Sequence, residues 1–340
     1  MINFRYHIVS LTAVLLALGI GLMLGTTFLD QATVDALKDR QAELESDVRR
    51  TNDRNGDQAA VIDEYEREAS AFSEQIGERL FAGILRNDPV LVIATRGVDQ
   101  GRVDSVMAAM TAADAQVVGA WWLTDRLKLD DDGEVADLGD ALLLNTSDPA
   151  RLRTSLASQL AEVLSAASDP PPDPEAASTQ GGLGTAADGG EPPVVARLVD
   201  GGFVEYQQPE GSDDDVVSLP TSGLRVVIVS GPDASVAPSE VVVPVLIDYS
   251  EDGPVPAVAV EPSIVIDESQ DDPPESLVID IRGDNDLSGR VSTVDDVERA
   301  AGLAATVLAV DDADPADPVI AHYGLGPGTR LLPEPRGTDE

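Results

Sequence analysis

From Ile8 to Leu29 the chain runs 22 residues without a charged side chain. As a helix rising 1.5 Å per residue this stretch is about 33 Å long, enough to cross a hydrocarbon core of roughly 30 Å. A cleavable signal peptide would carry a shorter apolar region, about 7 to 15 residues, ending in a small-x-small site. The run ends instead Leu24-Gly25-Thr26-Thr27-Phe28-Leu29, so an uncleaved anchor is expected. Arg5 precedes the span, and Asp30 and Asp35 follow it. The positive-inside bias then makes residues 1–7 a short cytoplasmic tail and places the rest outside the cytoplasm. Later apolar runs, Val90–Thr95 and Val241–Ile247, have strand length and cannot return across the bilayer. A single-pass protein of the cell membrane is expected.

Within the span, Ala13, Ala17, Gly21 and Gly25 recur every fourth residue. Such a small-residue stripe lets two membrane helices approach closely, although small residues are common in membrane helices generally.

Residues 30–86 read as a stalk. Leu37, Leu44, Val48, Ile62, Tyr65, Phe72 and Ile76 lie on an unbroken 4-3 alternation, and Thr51, Asn55 and Gln58 make its middle polar. This is the seam of a coiled coil with a weak centre. Asn55-Gly56 sits in that centre, where glycine costs a helix about 1 kcal/mol relative to alanine, so a hinge is expected there. A parallel homodimer through the stalk and membrane helix is the preferred arrangement; two helices folded back on each other would bury the same seam.

Beyond Asp88-Pro89, strand-like and helix-like runs alternate over residues 87–330. Strands are expected at Val90–Ala94, Gln116–Leu123, Leu224–Val229, Ala257–Glu261 and Arg290–Thr293. Helices are expected at Gln100–Ala113, Asp148–Ala166, Ser239–Tyr249 and Val294–Ala309. This order predicts an α/β doubly wound (Rossmann-like) extracytoplasmic domain, a parallel sheet with helices on both faces. Residues 168–193, rich in Pro and Gly and nearly devoid of apolar side chains, read as a disordered insertion, and residues 331–340 as a flexible tail.

Composition narrows the chemistry. There is no cysteine, hence no disulfide, thiolate metal site or cysteine nucleophile. The net charge of -40 repels nucleic acid, and Lys38 and Lys128 are the only lysines. So acidic a surface serves solubility at high salt or attracts a basic partner. Neither GxGxxG nor GxxxxGK[ST] follows a strand, and His7 and His322 are the only histidines, with no GxSxG elbow beside which His322 could act. The chain is therefore read as a non-enzyme.

Two metal patterns stand out. Asp284 to Asp295 resembles a calcium loop, with Asp284, Asp286, Ser288 and Asp295 at ligand positions and Gly289 near the turn. Aspartate replaces the bidentate glutamate expected at its end, and the stretch also fits a strand. Copper draws soft ligands, for which Met107 and Met110, spaced to share a helix face, and His322 are the candidates; methionine pairs at this spacing commonly fill cores. Trp121 and Trp122, adjacent in a strand, point to opposite faces.

The run Tyr6-His7-Ile8-Val9-Ser10-Leu11-Thr12-Ala13-Val14 leading into Ala17-Leu18-Gly19-Ile20-Gly21 resembles the start of the actinobacterial MctB family. Val291-Ser292-Thr293-Val294-Asp295-Asp296-Val297, Ala300-Ala301-Gly302 and His322-Tyr323-Gly324 resemble the same family near its end. The resemblance implies two functions. The family name refers to copper transport and the outer membrane, which makes copper the one cofactor or cargo implied. The related SteB proteins imply cell separation at the septum, with SteA as membrane partner. An outer-membrane pore needs a closed barrel with aromatic girdles, and this chain has 4% aromatics. The residues thus favour a membrane-anchored interaction module, with copper handling as the alternative.

Overall fold

The computed structural model describes residues 6–23, positions 40, 41, 44, 46, 48–51, 54, 56 and 67, and residues 81–170, 193–209, 218–263, 275–326 and 329–330. Residues 24–29, the insertion at 171–192 and the tail at 331–340 lie outside these. The chain divides into two compact units, Met1–Glu64 and Tyr65–Glu340.

In the first unit, Tyr6–Met23 is a helix of 18 residues, long and apolar enough to cross a membrane. Ala13, Ala17 and Gly21 lie on it, exposed, and nothing would meet a Cβ added at Gly21; Gly25 lies outside the described residues. Leu44 and Val48 are helical and exposed, and Gly56 too is helical. Of the remaining seam positions, Leu37, Ile62, Tyr65, Phe72 and Ile76 lie outside the described residues.

The second unit is built on a sheet of seven strands in the order β3-β2-β1-β4-β5-β6-β7. The strands are β1 (Pro89–Thr95), β2 (Gln116–Leu123), β3 (Val204–Gln207), β4 (Arg225–Val229), β5 (Ala257–Glu261), β6 (Ser292–Asp295) and β7 (His322–Tyr323). Every pairing is parallel except that of β2 with β3. The helices are α1 (Gln100–Ala112), α2 (Asp132–Ala141), α3 (Pro149–Ser168), α4 (Pro193–Asp200), α5 (Val242–Tyr249), α6 (Leu277–Gly283) and α7 (Ala300–Asp312). The expected doubly wound α/β architecture is present.

Alternation along the strands separates two cores, as the period of two in a strand requires. Leu91 and Ile93 join Trp121 and the helices α2 to α6 on one face. Val90, Val92 and Ala94 join Trp122, α1 and α7 on the other. Both tryptophans are buried. Phe81 and Leu85, at the end of the segment read as stalk, also lie in this second core.

Two expectations need correction. The helix placed at Val294–Ala309 begins at Ala300, because β6 continues to Asp295 and Asp296 then turns the chain at a φ of 74°. The insertion is narrower than 168–193, since Ser168 closes α3 and Pro193 opens α4, where proline needs no N–H partner.

Candidate functional site

In open sheets of this kind ligands enter where the strand order reverses, here at the carboxyl ends of β1 and β4. The chain itself fills that crevice. The Ser235 N–H donates to the Arg96 carbonyl at 2.5 Å, and Gly97, at a φ of 94°, lies so close that a Cβ would come within 2.0 Å of the Asp233 carbonyl oxygen. Only glycine lets the two loops meet in this way.

The polar residues converge instead at the carboxyl ends of β5, β6 and β7. Glu261 and Asp295 pair in register and so present their side chains to the same face. Glu261 is buried, and its Oε2 accepts from the Ser276 hydroxyl (2.5 Å) and the Val278 N–H (3.2 Å), while Oε1 has no partner among the described residues. Burial raises its pKa, against the hydrogen bonds that lower it.

Beside it, Arg282 of α6 uses all its nitrogens. Nη1 pairs with Asp295 Oδ2 (2.5 Å), Nη2 donates to the Tyr323 carbonyl (2.9 Å), and Nε donates to Thr293 Oγ1 (2.8 Å). Thr293 Oγ1 lies 2.8 Å from His322 Nδ1, and His322 Nε2 lies 3.0 Å from the Ser288 carbonyl. A carbonyl only accepts, so Nε2 carries the proton and bare Nδ1 receives the Thr293 hydroxyl. Burial lowers the His322 pKa, which keeps the ring neutral. Asp295 also accepts from the Leu325 and Gly326 N–H groups (2.5 and 3.2 Å). The rim thus grips the segment from His322 to Gly326.

Asp296 lies on the same rim with 1% of its surface exposed, and its Oδ2 has no partner among the described residues. Burial, with Glu298 and Asp295 adding negative charge and Arg299 opposing them, pushes its pKa up to about 7.

The sequence-predicted site residues fall differently from their pattern. Asp284 accepts from the Asp286 and Leu287 N–H groups (2.8 and 3.0 Å), Ser288 offers its carbonyl to His322, and Asp295 pairs with Arg282 from within β6. Asp286 is exposed. Of the oxygens that a calcium loop would direct inward, capping uses one of Asp284, and ion pairing and N–H groups use those of Asp295. No group of three acidic or imidazole side chains is placed to hold a metal among the described residues. Met107 and Met110 are buried in the core between α1, α7 and the sheet. Arg282, Glu261 and Asp296 escaped the sequence reading. The available signal was a charged residue closing an apolar strand, Glu261 after Ala257–Val260.

The family described as "Copper transport outer membrane protein, MctB" matches residues 1–333. Proteins named copper transporter MctB from Mycobacterium bovis and from two strains of Mycobacterium tuberculosis are each 27% identical to this chain, over 96% of its length and 98% of theirs. With a family match over nearly its whole length, and with relatives aligned end to end, this chain is a member of the MctB family.

Proposed function

We propose that this protein is a single-pass, non-enzymatic envelope protein that works by contact. Its amino terminus lies in the cytoplasm, its membrane helix and coiled-coil stalk hold it as a homodimer, and its α/β domain engages a partner outside the cytoplasm, a SteA-like membrane protein in septal cell separation being the leading candidate. The observation that carries this reading is that the chain occupies its own sheet edge: the loops at Gly97 and Ser235 meet in the β1–β4 crevice where such sheets receive ligands, and the polar rim at β5 to β7 is bonded to the carboxyl-terminal segment through Arg282, Asp295 and His322. The domain then offers its outer surface rather than a cavity.

Copper handling is the second reading, favoured by the names of the family and of the mycobacterial relatives. It would use Met107, Met110 and His322. Two variants separate the readings. Met107→Leu with Met110→Leu and His322→Gln deletes the soft ligands at nearly constant volume. Leu44→Glu with Ile62→Glu charges the seam and leaves every soft ligand in place. For an interaction module the seam variant reproduces the deletion phenotype, with defective cell separation, and the ligand variant is normal in separation and copper tolerance. Loss of copper tolerance in the ligand variant alone, at unchanged protein level, would transfer the function to copper.

A further inference from the structure

We infer that the corner between α2 and α3 is the docking surface of the domain, and that its occupant is a basic, apolar segment of a partner protein. The inference rests on the interaction-module reading and names the surface it needs.

At the end of α2, the Leu142, Leu143 and Leu144 N–H groups donate to the carbonyls of Leu138 (3.0 Å), Asp140 (3.1 Å) and Gly139 (2.8 Å). This closure puts Leu143 at a φ of 57°, the left-handed position that helix ends usually give to glycine. The leucine is not placed there for the core, since 74% of its surface is exposed, and 36% of that of Leu144. A side chain that costs backbone strain and meets water serves neither folding nor solubility, and strain that persists in this way is a pointer to function.

The corner is also rigid. A Cβ on Gly139 would come within 3.2 Å of the Leu144 carbonyl, so α2 and the loop are in close contact there. Arg197 Nε holds the Ala141 carbonyl at 2.6 Å, and Gln159 Nε2 the Leu142 carbonyl at 3.4 Å. Leu144 lines an open groove of about 560 Å³ whose other walls include Ala150, Arg151, Thr154 and Ser155.

Charge selects the occupant. The exposed side of α2 carries Asp132, Asp137 and Asp140, the helix contains no lysine or arginine, and Asp148 begins the next helix. Arg151, on the groove wall, is paired with Asp148 at 3.5 Å, and Arg126 is paired with Asp137. With Glu134 of α2 and the Arg197 that holds Ala141 included, the corner carries five acids (Asp132, Glu134, Asp137, Asp140 and Asp148) against three arginines (Arg126, Arg151 and Arg197), so its net charge is negative. A second copy, itself at -40, would bring like charge to it, whereas a segment with apolar side chains between lysines or arginines matches both the leucines and the acids.

The test uses the full-length protein in detergent micelles and two labelled synthetic helices, one with leucines on one face and lysines on the other, its twin with glutamates for the lysines. The lysine helix should bind saturably, the glutamate twin should not, and Leu143→Gly should weaken binding at least about tenfold. Glycine suits the backbone, so thermal unfolding of this variant, read by tryptophan fluorescence, should be unchanged or later. Asp137→Asn with Asp140→Asn should weaken binding and flatten its dependence on salt. Absence of saturable binding, equal binding by wild type and Leu143→Gly, or binding of the glutamate twin would overturn the proposal. So would a Leu143→Gly variant whose only change is a smaller mass in sedimentation, which would make a second copy the occupant. Such failures leave the seam and ligand variants to judge the interaction-module reading separately.

Discussion

Asp296 holds a carboxyl group inside the fold at a left-handed backbone position, with one oxygen unpartnered among the described residues. Its pKa of about 7 stands well above the unfolded value of about 3.9. Between these values the unfolded chain has released its proton and the folded chain has kept it, so stability falls as pH rises from about 4 to about 7 and levels off above. Asn supplies the neutral side chain permanently and tolerates left-handed backbone. Asp296→Asn should therefore be more stable than wild type at about pH 8, on the order of a few kcal/mol, with the difference vanishing near pH 4. Urea unfolding followed by tryptophan fluorescence measures this, because Trp121 and Trp122, the only tryptophans, are both buried in the domain. A difference that persists at low pH would show that the carboxyl group is not the cause. Met107→Leu with Met110→Leu, a swap at nearly constant volume between α1, α7 and the sheet, should cost less than about 1.5 kcal/mol in the same assay.

At the scale of elements, strands were legible where they are continuous apolar runs buried on both faces, as at Val90–Ala94 and Ala257–Glu261, and α3 was legible from Asp148-Pro149 and the spacing of its leucines. The misses have physical reasons. The antiparallel edge strand β3 and the two-residue β7 are too short to show a period, and α2 is largely Gly, Ala and Asp, with little apolar stripe to read. The rim escaped because its partners are far apart in sequence: Arg282, Asp295 and Tyr323 meet only after the sheet has formed. That rim adds to the two-residue backbone pairing with β6 in fixing β7. As pH falls below about 6.5, the unfolded chain takes up a proton at its His322 that the folded site resists, so the stability His322 contributes is lost on acidification. Exchange of the Leu325 and Gly326 amides, corrected for its intrinsic pH dependence, should therefore accelerate between about pH 7.5 and pH 5. His322→Gln should remove the acceleration. Gly324→Ala should loosen the segment at every pH, because a Cβ there would come within 1.9 Å of Asp295 Oδ1. Amides that exchange alike in all three proteins would separate β7 from the rim.

At the scale of the whole molecule, the proposed function relates the membrane helix to a bilayer and the α/β domain to a second chain. In the proposed topology Arg5 ahead of the apolar helix and Asp30 and Asp35 behind it direct the domain outward, so a reporter active only outside the cytoplasm, fused after Glu340, should work. A reporter active only inside would invert the topology and remove any extracytoplasmic partner. Assembly is the stricter question, because the chain carries -40 and two copies repel through their domains. In the proposed homodimer association then comes from the two apolar features ahead of the domain, the small-residue stripe and the expected heptad seam. Gly21→Leu with Gly25→Leu widens the closest approach of two membrane helices and should weaken association of the full-length protein. It leaves the seam intact, so residues 33–85 made alone should still self-associate at high concentration, and more strongly as salt screens their acids. The polar centre at Thr51, Asn55 and Gln58 limits how tightly. Sedimentation equilibrium of that segment decides between the two arrangements of the seam: a mass that rises with concentration fits two parallel chains, whereas a strictly monomeric, helical segment would mean that the seam is buried within one chain as a hairpin, shortening the reach of the stalk by about half.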